Sequence, residues 1–357
     1  MSTISRRTLL KLGGSTLIGA PLVFVSTPAH LAQAMRTPIE TTPTKHAFGR
    51  AIQGNLAVRE QPSTKAAVVR KLARNEVTGI LGQTTSDESP STYNKIWYQT
   101  KDGWVHSAFV QLCDNTLNKP LTSIDPQMTL WGEITVPLSA ARVQPDPAAR
   151  APWTHYFGTA FQILDVVPGA DGKPWYRISD GILRNLHVEA EHMHVVTPEE
   201  LAPLSPNVAD EDKHIEVDLK KQMLHAYEGD KEVFTARCAT GSSFRQSDGS
   251  IKSYGTPTGP HHIYLKTPSQ RMIGGAAGDA SFYDLPGISW VSYFTTSGCA
   301  VHGTYWHNDY GKPRSHGCVN VLAEDAKWVY RWSLPLANYD ARSTHAARGG
   351  GTIVKVF

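Results

Sequence analysis

A cysteine and two histidines are the residues of this sequence whose types and spacing suit chemistry. Cys318 follows His316 by two positions in the segment SHGCVN (315–320), and His302 lies upstream in AVHGTYWHNDYGKPR. A free thiol has a pKa of about 8.5 and reacts as the thiolate, so a cysteine nucleophile needs a base within reach. Either histidine is a candidate for that base, and we expect Cys318 to be ionised near neutral pH.

A metal site is an alternative use of the same segment. Histidine and cysteine are ligands that zinc accepts. The spacings Cys-x-x-Cys and His-Glu-x-x-His do not occur in the sequence, and no carboxylate is placed as the base of such a motif. We therefore expect neither a metal nor another cofactor, although four candidate ligands are close in sequence: His302, His307, His316 and Cys318.

The residues around Cys318 suit a reactive loop. Gly317 lacks a side chain, which lets a substrate approach and lets backbone N–H groups point toward a developing oxyanion. Asn320 could brace the loop through its amide. Lys312 and Arg314 are either a grip for a substrate carboxylate or ordinary solvated charges.

The elements that must position these residues are mostly strands. HIEVDLKKQMLHAYEGDKEVFTARCATG (214–241) reads as two strands joined at EGDK, and further strand patterns precede His302. LAEDAKWVYRWS (322–333) has helical periodicity, and GTIVKVF (351–357) reads as a closing strand. Residues 213–357 are thus predicted to form a β-rich domain with one or two helices.

An internal repeat precedes this domain. Residues 48–113 and 135–197 both alternate short β-branched or aromatic runs with turn residues, which is typical of small all-β barrels. In each repeat a Trp-Tyr pair, predicted to have one ring inward and one outward, precedes an Asp-Gly hairpin turn. The matching landmarks are Arg59 and Pro62 with Arg142 and Pro145, Trp97-Tyr98 with Trp175-Tyr176, and Asp102-Gly103 with Asp180-Gly181.

The second repeat has diverged from the first. Ile182 stands where the first repeat has Trp104. The histidines that follow, His187, His192 and His194, are not expected to bind metal, because a strand places only two of them on one face. Residues 198–212, PEELAPLSPNVADED, lack apolar periodicity and are predicted to be a linker.

The N-terminus has the features of an export signal. Residues 1–34 contain Arg6 and Arg7, an apolar run from Leu17 to Val25 and the small-residue ending Ala32-Gln33-Ala34. The twin arginines favour the route that carries folded proteins, and we expect the protein at the cell envelope. An N-terminal membrane anchor is the alternative, so membrane contact is expected only if the signal stays uncleaved.

Charge and cysteine content narrow the class further. The formal net charge of +3 without a Lys/Arg cluster argues against a nucleic-acid partner. Four cysteines are too few and too scattered for a disulfide framework. Cys238 and Cys299 could pair, or each cysteine could be a small buried apolar residue.

Two resemblances connect these motifs. Both repeats resemble bacterial SH3-like domains through the pattern VR-x-x-P, W-Y and DGWV. HGTYWHNDYGKPRSHGCVNV, together with YGTPTGPHHI before it, resembles the active-site region of the L,D-transpeptidase family with YkuD-type catalytic domains, over residues 213–357. The implied chain is mainly β: two small SH3-like barrels followed by a β-rich catalytic domain.

The resemblance implies a cysteine acyltransferase that acts on peptidoglycan stem peptides in cell-wall biogenesis and cell shape. Cys318 would attack the carbonyl of the third residue of a tetrapeptide stem, release D-alanine and form a thioester. His302 would be the general base and acid, and the carbonyl of Gly303 would orient it. His316, Gly317 and the Cys318 amide would shape the oxyanion site.

The same resemblance implies partners. Donor and acceptor would both be peptidoglycan stem peptides, and the SH3-like domains would bind the cell wall. The candidate substrate-binding residues are Tyr305, Trp306, Arg314, Ser315 and Asn320; the two aromatic residues are either a substrate wall or ordinary packing.

Other functions remain open. The same chemistry with water as acceptor would make an L,D-carboxypeptidase, and a protein acceptor would attach proteins to the wall. A wall-binding protein with a secondary catalytic domain is a further alternative, but it does not need both His302 and Cys318. A cysteine peptidase of the kind often linked to SH3-like modules is disfavoured, because there the cysteine precedes the histidine in the chain.

Overall fold

The computed structural model describes residues 39–125, 127–275, 278–279 and 281–357. The predicted export signal, residues 1–34, lies outside the described residues. No helix in the described ranges is long and apolar enough to cross a membrane. The prediction of a mainly β chain is confirmed, and the described residues contain one α-helix.

The first module, residues 48–113, consists of two sheets with strand orders β4-β1-β8 and β3-β2-β7-β6-β5. Gly103, at φ +144°, follows the turn between β6 and β7, as the Asp-Gly pair predicted. The strands are β1 (Phe48–Ala51), β2 (Leu56–Arg59), β3 (Val68–Leu72), β4 (Val77–Gly79), β5 (Gly82–Thr85), β6 (Ile96–Thr100), β7 (Gly103–His106) and β8 (Val110–Cys113).

The second module, residues 130–196, repeats this pattern of pairing. Its first strand pairs with a middle strand and with the last strand, as β1 does with β4 and β8, and a 3-10 turn again precedes the last strand. The sheets are β10-β11 and β14-β13-β12-β9-β15. The strands are β9 (Leu130–Ile134), β10 (Leu138–Ala141), β11 (Trp153–Tyr156), β12 (Ala160–Pro168), β13 (Pro174–Ser179), β14 (Leu186–Glu189) and β15 (Met193–Val196).

The Trp-Tyr pairs of the two modules are buried on both faces of their strands. The relative exposures are 2% for Trp97, 4% for Tyr98 and 0% for both Trp175 and Tyr176. The prediction that one ring of each pair points outward is therefore wrong. Loops cover the second face: Trp97 Nε1 donates to Ser89 Oγ at 2.8 Å, and the backbone N–H of residue 121 donates to Tyr176 Oη at 2.7 Å.

The C-terminal domain packs two five-stranded sheets around α1, with orders β18-β17-β16-β27-β21 and β25-β24-β23-β22-β26. The closing strand pairs in parallel with the first strand of the domain. The elements are β16 (Lys213–Asp218), β17 (Met223–Glu228), β18 (Lys231–Arg237), β19 (Ser243–Arg245), β20 (Ile251–Ser253), β21 (Gly259–His262), β22 (Leu265–Gly274), β23 (Tyr283–Tyr293), β24 (Ala300–Gly303), β25 (Val319–Val321), α1 (Ala323–Trp332), β26 (Thr344–His345) and β27 (Ile353–Val356).

The apolar residues of helix α1 recur on one side, and that side packs into the core of the domain against β23 and β24. Ala326, Val329 and Tyr330 are buried in the main core of the domain. The segment 198–212 also contributes, since Leu201 is 4% exposed within that core. The predicted linker therefore packs against the C-terminal domain through this side chain.

Both modules are held against the C-terminal domain by hydrogen bonds between side chains and backbone. Asn308 Nδ2 donates to Val110 O at 3.0 Å, and Arg50 Nη2 donates to Tyr305 O at 2.7 Å. From the second module, Trp131 Nε1 donates to Tyr339 O at 3.0 Å. The contacts of Asn308 and Tyr305 fix the first module beside the loop that precedes Cys318.

Candidate active site

A pair of parallel strands brings the predicted catalytic residues together. β24 and β25 pair in the register Val301 with Val319 and His302 with Asn320. Cys318 directly precedes β25, so it lies beside the strand that contains His302. His302, Cys318 and Asn320 all line one cavity of about 250 Å³.

The Cys318 thiol is half-buried and lines this cavity. Its Sγ–H donates to Gly298 O at 3.7 Å, a long contact even for sulfur. Burial raises the pKa of Cys318 to about 12, and the neighbouring Cys299 adds to the increase. The expectation of a thiol ionised near neutral pH is therefore wrong, because desolvation disfavours the thiolate and no cation among the described residues offsets it.

His302 is buried, with 2% of its surface exposed. Its Nδ1 lies 2.9 Å from Gly303 O, and because a carbonyl only accepts, Nδ1 carries the proton. Burial lowers the pKa of His302 to about 4. The imidazole is therefore neutral at pH 7, with the lone pair on Nε2 available to accept a proton.

Gly303 has no room for a side chain. A Cβ there would lie 2.5 Å from Ser289 Oγ and 2.9 Å from Ala323 Cα, the first residue of α1. The close approach of β24 to β23 and α1 therefore requires glycine. The same packing fixes the carbonyl that holds the His302 ring.

The loop before Cys318 is closed by one hydroxyl. Ser315 Oγ donates to Cys318 O at 2.5 Å and accepts from the Gly317 N–H at 3.1 Å. Gly317 has φ +111°, and a Cβ there would lie 2.8 Å from Cys299 Sγ. Thr256 Oγ1, from the YGTPTG segment, donates to Gly317 O at 2.9 Å.

His316 lies among aromatic rings at the edge of the cavity. Its imidazole stacks on Phe244 with centroids 4.1 Å apart, and Tyr254 and Tyr283 contact it at 4.5 and 4.8 Å. Burial lowers its pKa. Its Nε2 is buried and has no hydrogen-bond partner among the residues that the structure describes.

Comparison with known families agrees with this geometry. Residues 212–356 match the family model of the L,D-transpeptidase (YkuD) catalytic domain. Residues 212–356 are a YkuD-type L,D-transpeptidase domain. Residues 52–122 match a Treponema SH3-like domain, so an SH3-like region precedes the L,D-transpeptidase domain. No curated protein matches the chain in sequence.

Solved L,D-transpeptidases are similar to part of the chain. One from Mycobacterium smegmatis is 18% identical over 41% of this chain and 58% of its own, with a TM-score of 0.32. One from Enterococcus faecium is 20% identical over 41% and 50%, with a TM-score of 0.30. One from Xylanimonas cellulosilytica is 23% identical over 47% and 72%, with a TM-score of 0.28. The chain thus spans 58% of the first of these structures.

The L,D-transpeptidase domain contains a buried pair that sequence reasoning missed. His307 Nε2 lies 3.0 Å from Asn320 Nδ2, behind the wall of the cavity, and burial lowers the pKa of His307 to about 3. His307 entered the sequence analysis only as a metal-ligand candidate. Its pairing with Asn320 depends on how the loop after β24 packs against β25, which no local pattern reveals.

Arg314 lines the cavity but already has an anionic partner. Its guanidinium pairs with Asp309 Oδ2, and Lys312 Nζ lies 2.7 Å from the same oxygen. Asp309 is 1% exposed, and these two cations hold the pKa of its carboxyl below the usual range against the effect of its burial. Arg314 would have to exchange this partner to hold a substrate carboxylate.

Tyr305 and Trp306 face different surroundings. Trp306 lines the cavity, with its ring centroid 5.8 Å from that of His302. Tyr305 is 7% exposed, donates from Oη to Pro286 O at 3.1 Å and stacks on Tyr156 of the second module. Of the two predicted substrate-wall residues, the structure brings only Trp306 to the cavity.

The structure does not gather the sulfur and nitrogen ligands that a zinc site would need in this segment. Within the described ranges, the one group of three side chains close enough to share an ion is Glu189, Glu191 and His192 in the second module. All four cysteines are free, so the pairing of Cys238 with Cys299 is absent. His194 instead pairs with Glu200 at 2.9 Å.

Proposed function

We propose that the chain is an exported cysteine acyltransferase that forms 3-3 cross-links between peptidoglycan stem peptides through a Cys318 thioester. The observation that carries the proposal is the placement of Cys318 and a neutral, anchored His302 in one cavity of an L,D-transpeptidase domain. A nucleophile, a base and a third group that orients the base are the parts that acyl transfer requires.

The first half-reaction forms the thioester. Cys318 Sγ attacks the carbonyl carbon of the third residue of a donor stem while His302 Nε2 accepts the thiol proton. The C–N bond to the terminal D-alanine then breaks, and His302 returns the proton to the departing amine. The donor stem remains bound to Sγ.

The second half-reaction transfers the stem. An amine of a second stem loses a proton to His302 and attacks the thioester carbonyl, which forms the new amide and releases the Cys318 thiol. Water in place of the amine would give hydrolysis. A cavity that excludes water therefore favours transfer.

The resting pair is a neutral thiol and a neutral imidazole. The pKa of Cys318 is about 12 and that of His302 about 4, so an ion pair between them is strongly disfavoured before substrate binds. The proton therefore moves as the sulfur attacks. This order keeps the thiol unreactive until a carbonyl lies beside it.

The backbone around Cys318 restricts which amide stabilises the oxyanion. The Gly317 N–H donates to Ser315 Oγ and is already used. We assign the oxyanion to the Cys318 N–H, held in place because Thr256 Oγ1 bonds Gly317 O, the carbonyl of the same peptide unit, at 2.9 Å. Gly317 contributes by its conformation rather than by its amide.

The test uses residues 35–357 with a disaccharide-tetrapeptide, read by mass spectrometry beside Cys318→Ala. A cross-linked dimer that lacks one D-alanine and is absent with Cys318→Ala supports the proposal. D-alanine release without a dimer indicates an L,D-carboxypeptidase, or wall-protein attachment that needs its own acceptor. If the tetrapeptide is unchanged, the proposal fails and the wall-binding alternative is favoured.

Export and wall binding belong to the same proposal. The twin-arginine segment supports delivery to the cell envelope, where stem peptides occur. The SH3-like region supports attachment to the wall, although its Trp-Tyr pairs are buried and unavailable as contacts. Fractionation of cells that express the full chain, with Arg6 and Arg7 replaced by Lys in the control, tests the export route.

A further inference from the structure

A second cavity adjoins the one that contains Cys318. It has a volume of about 430 Å³ and is lined by residues of the first module, the second module and the L,D-transpeptidase domain. Trp306 and Leu285 line both cavities, so the two are neighbours across these side chains. We call the second cavity the three-domain groove.

The three-domain groove contains a buried cation without an anionic partner. Arg50 is 2% exposed, and within the described residues no carboxylate lies within ion-pair distance of it. Its guanidinium donates to Gln111 Oε1 from Nε and Nη2, to Asn75 Oδ1 from Nη1 and to Tyr305 O from Nη2. These four hydrogen bonds use four of the five N–H groups and leave one Nη1–H.

A buried charge is costly unless it is paired, so an unpaired buried arginine calls for explanation. Neutral oxygens and the ring of Tyr156, 3.9 Å from the Arg50 guanidinium carbon, stabilise it in part. None of them neutralises the charge. A ligand anion in the groove would do so.

A second arginine adds to the positive field. Arg74 is exposed and lines the groove, and its positive charge helps to lower the pKa of Arg50. In the described part of the chain, the side chain of Arg74 has no hydrogen bond or ion pair. The groove's one acidic residue, Asp284, is already paired with Arg271 through two hydrogen bonds of 2.6 and 2.7 Å. Among the described residues that line it, the groove thus presents two guanidiniums and no unpaired carboxylate.

We infer that the three-domain groove is a substrate subsite in which Arg74 and Arg50 bind a carboxylate of a stem peptide whose reacting end lies at Cys318. The inference rests on the proposed function, since it takes a stem peptide as the ligand. Aromatic side chains of Trp153, Tyr156 and Trp306 form apolar walls that suit the hydrocarbon part of such a peptide. The modules then take part in substrate binding directly.

The carboxylate belongs either to the donor stem or to the acceptor stem, and kinetics of the two half-reactions distinguish them. Arg74→Gln is compared with wild type and with Arg348→Gln, which removes an exposed arginine that does not line the groove. The rate of D-alanine release at varied donor concentration gives the KM for the donor. The rate of dimer formation at saturating donor and varied tripeptide concentration gives the KM for the acceptor.

A charge-assisted hydrogen bond to a carboxylate is roughly twice as strong as a neutral one, so we expect Arg74→Gln to raise one of the two KM values about tenfold. The same peptide with its carboxylates amidated should show no difference between the variants. If neither KM differs by more than about twofold from that of Arg348→Gln, the subsite does not exist, whatever the activity of the wild type.

Binding without turnover separates this inference from the proposed function. Cys318→Ala and Cys318→Ala/Arg74→Gln are titrated calorimetrically with tetrapeptide and with tripeptide. Weaker binding of either peptide by the double variant supports the subsite even if the wild type forms no product. Equal affinities of both peptides for the two variants overturn it, even if the wild type forms dimers.

Discussion

The imidazole of His302 is anchored by the carbonyl of its own neighbour, with Nδ1 2.9 Å from Gly303 O. A carboxylate in that position would stabilise an imidazolium, whereas a backbone carbonyl orients the ring without adding a negative charge. His302 is neutral because the partner of its Nδ1 is an uncharged carbonyl and because its ring is buried. Because His302 is neutral and the pKa of Cys318 is about 12, the thiol is protonated before substrate binds.

The reactivity of Cys318 toward alkylation should be low at neutral pH. Because its pKa is about 12, we expect the rate of alkylation by iodoacetamide to rise with pH up to at least pH 10, without a plateau. Mass spectrometry of the peptide that contains Cys318 measures this rate. The matched His302→Ala variant should show the same profile, since His302 is neutral; a plateau near pH 7 in wild type alone would mean an ion pair.

Glycine at position 303 should be essential for both stability and activity. Gly303→Ala introduces a Cβ within 2.9 Å of Ser289 Oγ and of Ala323 Cα, so the strand or α1 must move. Overpacking of this kind costs about 1–3 kcal/mol in the free energy of unfolding. Displacement of the carbonyl should also reduce kcat, to a larger extent than KM changes.

The control for this change is Gly79→Ala, in β4 of the first module. A Cβ there meets no atom within 4 Å, so Gly79→Ala should alter neither the denaturation midpoint nor kcat appreciably. Urea denaturation and initial rates measure both. Equal behaviour of the two variants would show that the packing of Gly303 does not hold His302 in place.

Local patterns were sufficient to predict the elements but not their contacts. The helical period of 322–333 predicted α1, and the Asp102-Gly103 pair predicted the turn between β6 and β7. The burial of both Trp97 and Tyr98 was not predictable, because strand alternation does not show that the loop containing Ser89 covers the ring of Trp97. An alternating pattern predicts only that one face of a strand is buried.

In the candidate site, too, local patterns identified residues but not the contacts between them. Cys318 and His302 could be recognised because their residue types carry chemistry, and Gly317 because it lacks a side chain beside the cysteine; the structure adds that Gly317 has φ +111°. The pKa of Cys318 was mispredicted, because it is raised by burial among residues that only folding brings near the thiol, and a sequence motif does not show that burial. Arg50 was missed because its isolation from carboxylates is a property of the three-domain packing.

The hydroxyl of Ser315 should support catalysis through the loop. Ser315→Ala leaves the buried Gly317 N–H without its acceptor, which costs about 1–3 kcal/mol, and frees the Cys318 carbonyl. We expect a lower kcat for dimer formation with little change in donor KM. Ser315→Thr keeps the hydroxyl and should retain most of the activity; equal losses in both variants would point to loss of packing instead.

The two buried lysines of the L,D-transpeptidase domain should make its stability depend on pH. Lys266 is 0% exposed and donates from Nζ to Ser333 O at 2.9 Å and to Pro335 O at 2.8 Å, just beyond α1. Burial, with a smaller effect of the nearby Lys213, lowers the pKa of Lys266 to about 7. The ammonium form is therefore disfavoured in the folded protein.

The sign of the effect follows from proton binding. Between pH 7 and the pKa of about 10.4 of an unfolded lysine, the unfolded state binds a proton that the folded state lacks, so the free energy of unfolding rises with pH. The slope approaches about 1.4 kcal/mol per pH unit and vanishes below pH 7. Lys266→Met should remove this slope.

Urea denaturation at pH 7 and pH 9 measures the free energy of unfolding of wild type, Lys266→Met and the control Lys71→Met, which changes an exposed lysine of β3. Wild type and Lys71→Met should gain stability between the two pH values relative to Lys266→Met. Lys266→Met should be less stable at pH 9, because the carbonyls of Ser333 and Pro335 lose their donor. Parallel pH profiles for all three proteins would mean that Lys266 remains charged in the folded state, held by those two carbonyls and by the ring of Tyr330, 4.8 Å from its Nζ.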